Sequence, residues 1–146
     1  MMKISSGAFE NGNPIPGQFT CDGADVSPPL AFSDVPATAR SLALIMDDPD
    51  APMGLWVHWL VWNIPPSTTV LAKGQKIPWM QGTTSWKRPG YGGPCPPSGT
   101  HRYFFRLHAL DTMLELRQGA QKKDLEAAMQ GHVLAMAELM GRYRRR

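Results

Sequence analysis

Two carboxylates and two imidazoles could form a binding or catalytic site. Asp48 and Asp50 follow an apolar run, and His58 lies within a second apolar run. His101 follows a loop that is rich in glycine and proline. A carboxylate beside an imidazole can fix the tautomer of the ring and raise its pKa. Because a protonated imidazole beside loop N–H groups suits an oxyanion or a phosphate, these residues predict an anion site if folding brings them together.

The same four residues also allow a purely structural interpretation. Asp48 and Asp50 lie close to prolines, where short carboxylates commonly close Asx-type turns. His58 could be a buried histidine whose hydrogen bonds are satisfied within the fold. Residue types and spacing alone favour this structural interpretation over the anion site.

The loop before His101 is the most unusual stretch of the chain. Residues 90–103 read GYGGPCPPSGTHRY, with four glycines and three prolines. Glycine lets backbone amides approach a ligand closely, and proline stiffens the loop. The stretch therefore predicts a rigid loop that delivers His101 and Tyr103 to a pocket at the start of a strand.

Other chemistries fit the sequence less well. The spacing of the two His and two Asp residues matches no metal motif, so neither a metal nor a cofactor is predicted. A hydrolase or thiol-redox enzyme would need a nucleophile, for which Cys95 and Ser98 are the candidates in the loop. The chain has no G-x-S-x-G motif and no phosphate-binding loop, because GYGGPCPPSG precedes a strand and not a helix.

Composition and charge narrow the class of protein. The 146 residues are 42% hydrophobic and 18% charged, as expected of a single folded domain spanning residues 1–146. The net charge is 15 − 12 = +3, and Arg144, Arg145 and Arg146 account for it, so no nucleic-acid surface is predicted. No signal-peptide pattern or bilayer-length apolar run is present, which predicts a cytoplasmic protein. Two cysteines, Cys21 and Cys95, do not suggest a disulfide framework.

The apolar pattern predicts a mostly β protein. We expect strands near residues 30–33, at Ser41 to Asp47, Leu55 to Ile64 and Arg102 to Leu110. The strand from Ser41 should be buried on both faces. Strict alternation in the next strand would put Trp56, His58, Leu60 and Trp62 on one face. Apolar residues at helical spacing predict one helix from Lys122 to Met140, with Gly131 inside it and Gly141 as its C-cap.

Two stretches together resemble the phosphatidylethanolamine-binding protein family, also called Raf kinase inhibitor proteins. DPDAP at Asp48 to Pro52, with Trp56-Val57-His58 after it, is similar to the first family signature. GPCPPSGTHRY at Gly93 to Tyr103 is similar to the second signature. The likeness to the short bacterial and archaeal branch extends roughly from Pro14 to Tyr143. It implies a large antiparallel sheet packed on a smaller sheet, with a C-terminal helix.

The resemblance also implies a small pocket for phosphate, acetate or a phosphoethanolamine head group. Its lining would be formed by Asp48, Asp50, His58, Pro97, His101 and Tyr103, with backbone amides near Gly93 and Cys95 as further donors. The chain departs from eukaryotic members in lacking their pocket tyrosine and in carrying Cys95 at a loop glycine. An anion pocket is therefore implied more strongly than phospholipid preference or kinase inhibition.

Three expectations follow for partners and local structure. The favoured function is non-enzymatic binding of a small anion or phosphorylated head group, with modulation of a kinase as an extension. The alternative is a protein-interaction or inhibitor module that acts through residues 65–92 and a homodimer face, with exposed Trp79 and Trp86 in the interface. We also expect the Ala51–Pro52 bond to be cis, because the chain turns sharply there.

Overall fold

The structure, a computed structural model, describes residues 1–145. It contains eight β-strands, one α-helix and a short 3-10 helix at Gly17–Phe19. In chain order the elements are β1 (Lys3–Ser5), β2 (Leu30–Ser33), β3 (Ser41–Asp48), β4 (Trp56–Ile64), β5 (Val70–Leu71), β6 (Met80–Gln81), β7 (His101–Leu110), α1 (Lys122–Met129) and β8 (Val133–Tyr143).

The strands form two antiparallel sheets. The large sheet has the order β6-β4-β3-β7-β8, and the small sheet has the order β1-β2-β5. Every pair of neighbouring strands in either sheet is antiparallel. The predicted mostly β architecture, with a large sheet on a smaller one, is confirmed.

The large sheet is covered on both faces, and β3 lies at its centre. Leu42, Leu44 and Met46 point into the main core between the two sheets, while Ala43 and Ile45 belong to a second cluster under α1. Every residue of β3 is buried, as predicted for a central strand. Its continuous apolar run is explained by this position, since both faces of the strand need apolar side chains.

The predicted helix from Lys122 to Met140 is wrong in its second half. Helix α1 ends at Met129, and Gly131 with φ +83° turns the chain into β8. Leu139 packs into the main core from β8, whereas Met136 on the other face is exposed. Alternating apolar residues in β8 also match helical spacing, and Gly131 is the feature that breaks the helix.

The connection between β4 and β7 is more ordered than its sequence suggested. It contributes β5 to the small sheet and β6 to the edge of the large sheet. Trp79 packs against the main core, and Trp86 contacts the rings of Trp56 and His58. Both tryptophans are half-buried within their own chain, so the expected exposed pair is not present.

Two of the carboxyl-terminal arginines contact the amino-terminal part of the chain. Arg142 Nε donates to the Gly12 carbonyl oxygen at 2.7 Å, and Arg145 Nε donates to Asp22 Oδ1 at 3.3 Å. Arg146, one of the three arginines that account for the net charge, lies outside the described residues. Among residues 1–145, no helix is both long enough and apolar enough to cross a bilayer.

Replacing Gly141 should test the assignment of β8. A Cβ atom there would overlap Ile15 and approach Phe9, because β8 lies against both side chains in the core. We expect Gly141→Ala to lower the free energy of unfolding by about 1–3 kcal/mol, the usual cost of overpacking a core. Urea denaturation measures this change.

Gly7→Ala is the matched control for Gly141→Ala. A Cβ atom at Gly7 has nothing within 4 Å, and its φ is not positive. Equal stability of the two variants would contradict the packing of β8 against Ile15.

Candidate functional site

A cavity of about 250 Å³ lies at one end of the large sheet. In an antiparallel sheet, the end of β3 lies beside the starts of β4 and β7, so polar residues from distant parts of the sequence meet there. The cavity is lined by Asp48, Ala51, Pro52, Met53, Trp56, His58, Trp86, Cys95, Pro96, Pro97, His101 and Tyr103.

A β-bulge in β4 turns His58 into this cavity. Met46 pairs with Trp59, but the next residue, Asp47, pairs with Val57, which leaves His58 as the extra residue. Val57 packs against the cluster under α1, and Trp59 packs into the main core. The predicted strict alternation of faces along β4 therefore fails at His58, because a bulge moves one residue to the other face of the sheet.

His58 is held by two hydrogen bonds to Gly92. Its Nδ1 donates to the Gly92 carbonyl oxygen at 2.7 Å, and the Gly92 N–H donates to the His58 carbonyl oxygen at 3.0 Å. Since a carbonyl can only accept, Nδ1 carries the proton and Nε2 is left for a ligand. Burial lowers the pKa of His58 to about 4, against smaller opposing effects of the Gly92 carbonyl and Asp48. The ring is therefore neutral at pH 7.

Asp48 joins β3 to β7 at the base of the cavity. Its Oδ2 accepts from His101 Nδ1 at 2.7 Å, and its Oδ1 accepts from the backbone N–H of Asp50 at 2.7 Å. Both Asp48 and His101 are buried. The bond to His101 is the carboxylate–imidazole pair, and the bond to the N–H of Asp50 closes the Asx-type turn. Asp48 therefore fits both interpretations that the sequence allowed.

Asp50 serves the turn and is not among the residues that line the cavity. Its carboxylate accepts three hydrogen bonds from Arg102, from the backbone N–H, Nε and Nη2, each at 2.9 Å. These bonds lower the pKa of Asp50 to about 2. The prediction of a cis Ala51–Pro52 bond is wrong, since no peptide bond within residues 1–145 is cis. The Asp48 bond and Gly54, at φ +103°, make the turn instead.

The loop that closes the cavity is fastened to residues 19–25. Gly93 N–H donates to Asp25 Oδ1 at 2.8 Å, so this amide is not free for a ligand. Cys95 forms a disulfide with Cys21, 74 residues earlier in the sequence. The sequence did not predict this disulfide, and because of it Cys95 is not the free thiol that a thiol-redox or nucleophilic role would need. Cys95 is half-buried and forms part of the cavity wall.

Tyr103 supplies an unused hydroxyl group to the cavity. The side chain is fully buried, and its hydroxyl oxygen makes no hydrogen bond of normal geometry with the described residues, although the Asp48 carboxylate and the Cys95 N–H lie close to it. Burial raises the pKa of Tyr103, and the nearby charge of Asp48 raises it further. The hydroxyl therefore stays protonated and can donate a hydrogen bond to a ligand.

The sequence analysis missed the aromatic wall of the cavity. Trp56 and Trp86 meet edge to face, with ring centroids 5.6 Å apart, and Trp86 lies 4.9 Å from the ring of His58. Trp56 was visible in the Trp-Val-His pattern but was not assigned to the site. Trp86 is 28 positions from His58 along the chain, and no local spacing links the two.

Other parts of the surface offer weaker sites. A larger groove of about 860 Å³ runs past Asp22, Arg142 and Tyr143. Three of its polar side chains are already paired, because Tyr143 OH donates to Asp22 Oδ2 at 2.6 Å and Arg142 Nε donates to the Gly12 carbonyl oxygen. Within residues 1–145, no group of three or more His, Cys, Asp or Glu side chains could hold a metal ion.

Removing the disulfide should destabilise the protein. We expect the double variant Cys21→Ser/Cys95→Ser to lose about 2–4 kcal/mol of unfolding free energy, because the crosslink restricts a long loop in the unfolded chain. Denaturation with and without a dithiol reductant measures the loss. The reductant should weaken the wild type and leave the variant unchanged; identical curves for both proteins without reductant would contradict the crosslink.

The low pKa of His58 should make stability depend on pH. Between about pH 6.5 and pH 4 the unfolded chain binds a proton at His58 that the folded protein does not bind. This contribution is present above pH 6.5 and lost as the pH falls, by about 3 kcal/mol at pH 4. We expect His58→Asn, which keeps a donor towards Gly92, to lose correspondingly less unfolding free energy between pH 7 and pH 4. Equal losses would contradict a neutral buried imidazole.

Comparisons with known proteins agree with this fold over its whole length. The chain is 51% identical to a UPF0098 protein of Methanothermobacter thermautotrophicus, with 99% of each chain covered. It is similar to the structure of a phosphatidylethanolamine-binding protein homolog, CT736, of Chlamydia trachomatis (TM-score 0.97, 47% identity, 99% of this chain and 98% of that one). Escherichia coli YbcL also matches (TM-score 0.91, 30% identity, 99% of both chains). Because the phosphatidylethanolamine-binding protein family model also matches residues 5–144, the chain belongs to that family.

Proposed function

We propose that this protein binds a small phosphoryl-bearing molecule, of the size of phosphoethanolamine, in the cavity at the end of the large sheet. The observation that carries the proposal is the buried hydroxyl of Tyr103, which makes no hydrogen bond of normal geometry with the described residues and shares the cavity with His58 and His101. An unpaired buried donor costs free energy, and a ligand oxygen would compensate for it. Binding is proposed to be noncovalent.

The imidazole of His101 supports an anionic ligand. Its Nδ1 donates to Asp48, so a second proton on Nε2 would give a cation whose charge the carboxylate compensates. Such a ring could donate to a ligand oxygen beside the Tyr103 hydroxyl. His58 does not fill this role, because it is neutral at pH 7.

The aromatic wall supports a ligand with a second, less polar part. Trp56 and Trp86 present indole rings to the cavity, and Met53 and Pro52 extend the apolar surface. Indole faces attract both apolar groups and ammonium ions. A phosphoethanolamine-like molecule has a phosphoryl group for the polar base and an ethanolammonium group for this wall. The name of the matching family is consistent with this ligand class.

A protein partner would use the same chemistry. A phosphorylated side chain of a kinase or another partner carries the phosphoryl group that the cavity suits, and Met53 at the cavity is 93% exposed. Modulation of a kinase or another partner is therefore kept as an extension of the proposed ligand binding, and it depends on that binding.

Calorimetric titration with inorganic phosphate and with phosphoethanolamine at pH 6 tests the proposal. We expect saturable binding by the wild type and roughly tenfold weaker binding by Tyr103→Phe, which loses one hydrogen bond to the ligand. His101→Ala should weaken binding at least as much. The stability of Tyr103→Phe should change little, since its hydroxyl makes no hydrogen bond of normal geometry with the described residues.

His132→Ala is the matched control for the substitution at His101. His132 forms a similar pair with Asp111, at 2.7 Å, but both side chains are exposed and neither lines the cavity. This variant should bind like the wild type. Absence of binding by the wild type, or equal binding by Tyr103→Phe, would overturn the proposal.

A further inference from the structure

The two functional groups that face a ligand at the base of the cavity have opposite hydrogen-bonding roles. His58 Nδ1 donates to the Gly92 carbonyl, so Nε2 of the neutral ring can only accept. The protonated Tyr103 hydroxyl makes no hydrogen bond of normal geometry within the described residues, where Asp48 is the acceptor near it, and it is therefore available to donate to a ligand. The two rings meet edge to face, with centroids 5.1 Å apart, and both residues line the cavity.

The charges around His58 do not favour a fully ionised ligand. Asp48 lines the same cavity and pairs with His101, and the Asp25 carboxylate accepts a hydrogen bond from the N–H of Gly93. Tyr103 and Trp86, the rings packed on His58, carry no charge. A phosphate dianion would bring two negative charges and would leave the lone pair of His58 Nε2 facing another lone pair. A phosphate monoanion brings one charge and a P–OH group that can donate to Nε2.

We propose that His58 Nε2 selects ligands that keep an acidic proton, so that the cavity binds phosphate monoesters as monoanions and discriminates against phosphate diesters, sulfate esters and carboxylates. This inference rests on the proposed function and refines its ligand class. A diester has no P–OH group, so the cavity would take the free phosphoethanolamine monoester in preference to the same group within an intact phospholipid. Burial and the bond to Gly92 keep the acceptor on His58 available across neutral pH.

Phosphoethanolamine and ethanolamine O-sulfate form a suitable pair of probes. They have nearly the same shape. The sulfate group, however, keeps a single negative charge and carries no proton at any pH near neutrality. At pH 6 we expect phosphoethanolamine to bind at least about tenfold more tightly, because the sulfate leaves His58 Nε2 unpaired. Glycerophosphoethanolamine, the diester probe, should bind as weakly as the sulfate ester.

The affinity for phosphoethanolamine should fall as the pH rises. With a second phosphate pKa of about 6, the monoanion is about half of the ligand at pH 6 and about 1% at pH 8. We therefore expect an approximately 50-fold loss of affinity between these pH values, measured relative to ethanolamine O-sulfate. This ratio removes any effect of pH on the protein that acts equally on both ligands.

His58→Asn tests the acceptor directly. The asparagine amide can still donate to the Gly92 carbonyl, but the position of Nε2 is empty. The preference for phosphoethanolamine over the sulfate should fall about tenfold, whereas His132→Asn should leave it unchanged. Phosphorus NMR of the wild type gives an answer that does not depend on variant folding: the bound ligand should stay a monoanion from pH 5 to pH 8 while the free ligand titrates.

The outcomes separate the two proposals. If phosphoethanolamine and the sulfate bind equally, or if the bound phosphate titrates like the free ligand, the inference about His58 is overturned while anion binding stands. If the sulfate or the diester binds more tightly, the inference is also overturned. If the wild type binds none of the three probes at either pH, the proposed function and the inference fail together.

Discussion

One extra residue in β4 determines what the cavity can do. Without the bulge between the Met46–Trp59 and Asp47–Val57 pairs, His58 would point towards the cluster under α1. With it, the imidazole reaches the cavity and exchanges two hydrogen bonds with Gly92. These bonds fix the tautomer, and the surrounding burial fixes the charge. The chemical character of the site therefore depends on a backbone irregularity more than on the presence of a histidine.

Neighbouring carboxylates on β3 show how alternation along a strand separates two environments. Asp48 points to the cavity and pairs with His101, while Asp47 points to the opposite face and pairs with Arg106 at 3.0 Å. Both side chains are almost fully buried. Burial raises the pKa of Asp47, against the lowering effect of Arg106. Because strand alternation assigns the two charges to different faces, each has its own cationic or hydrogen-bonding partner.

The elements that sequence analysis predicts best are those determined by long apolar patterns. The two buried faces of β3 and the placement of Tyr103 towards the core in β7 follow from alternation alone. The errors arise where one residue changes the pattern: Gly131 ends a helix that periodicity would continue, and the bulge at His58 reverses the faces of β4. Trp86 and the Cys21–Cys95 crosslink are long-range pairings, and a single sequence carries no spacing that reports them.

The attachment of the cavity loop to residues 19–25 makes a remote segment responsible for the shape of the site. Tyr91 OH donates to the Phe19 carbonyl at 2.7 Å, Gly93 to Asp25 and Cys21 N–H to the Pro94 carbonyl at 3.1 Å, beside the disulfide. None of residues 19–25 lines the cavity. Residues 19–25 thus hold the loop in position from outside the cavity. Sequence changes in this segment would therefore alter the shape of the cavity without replacing any residue that lines it.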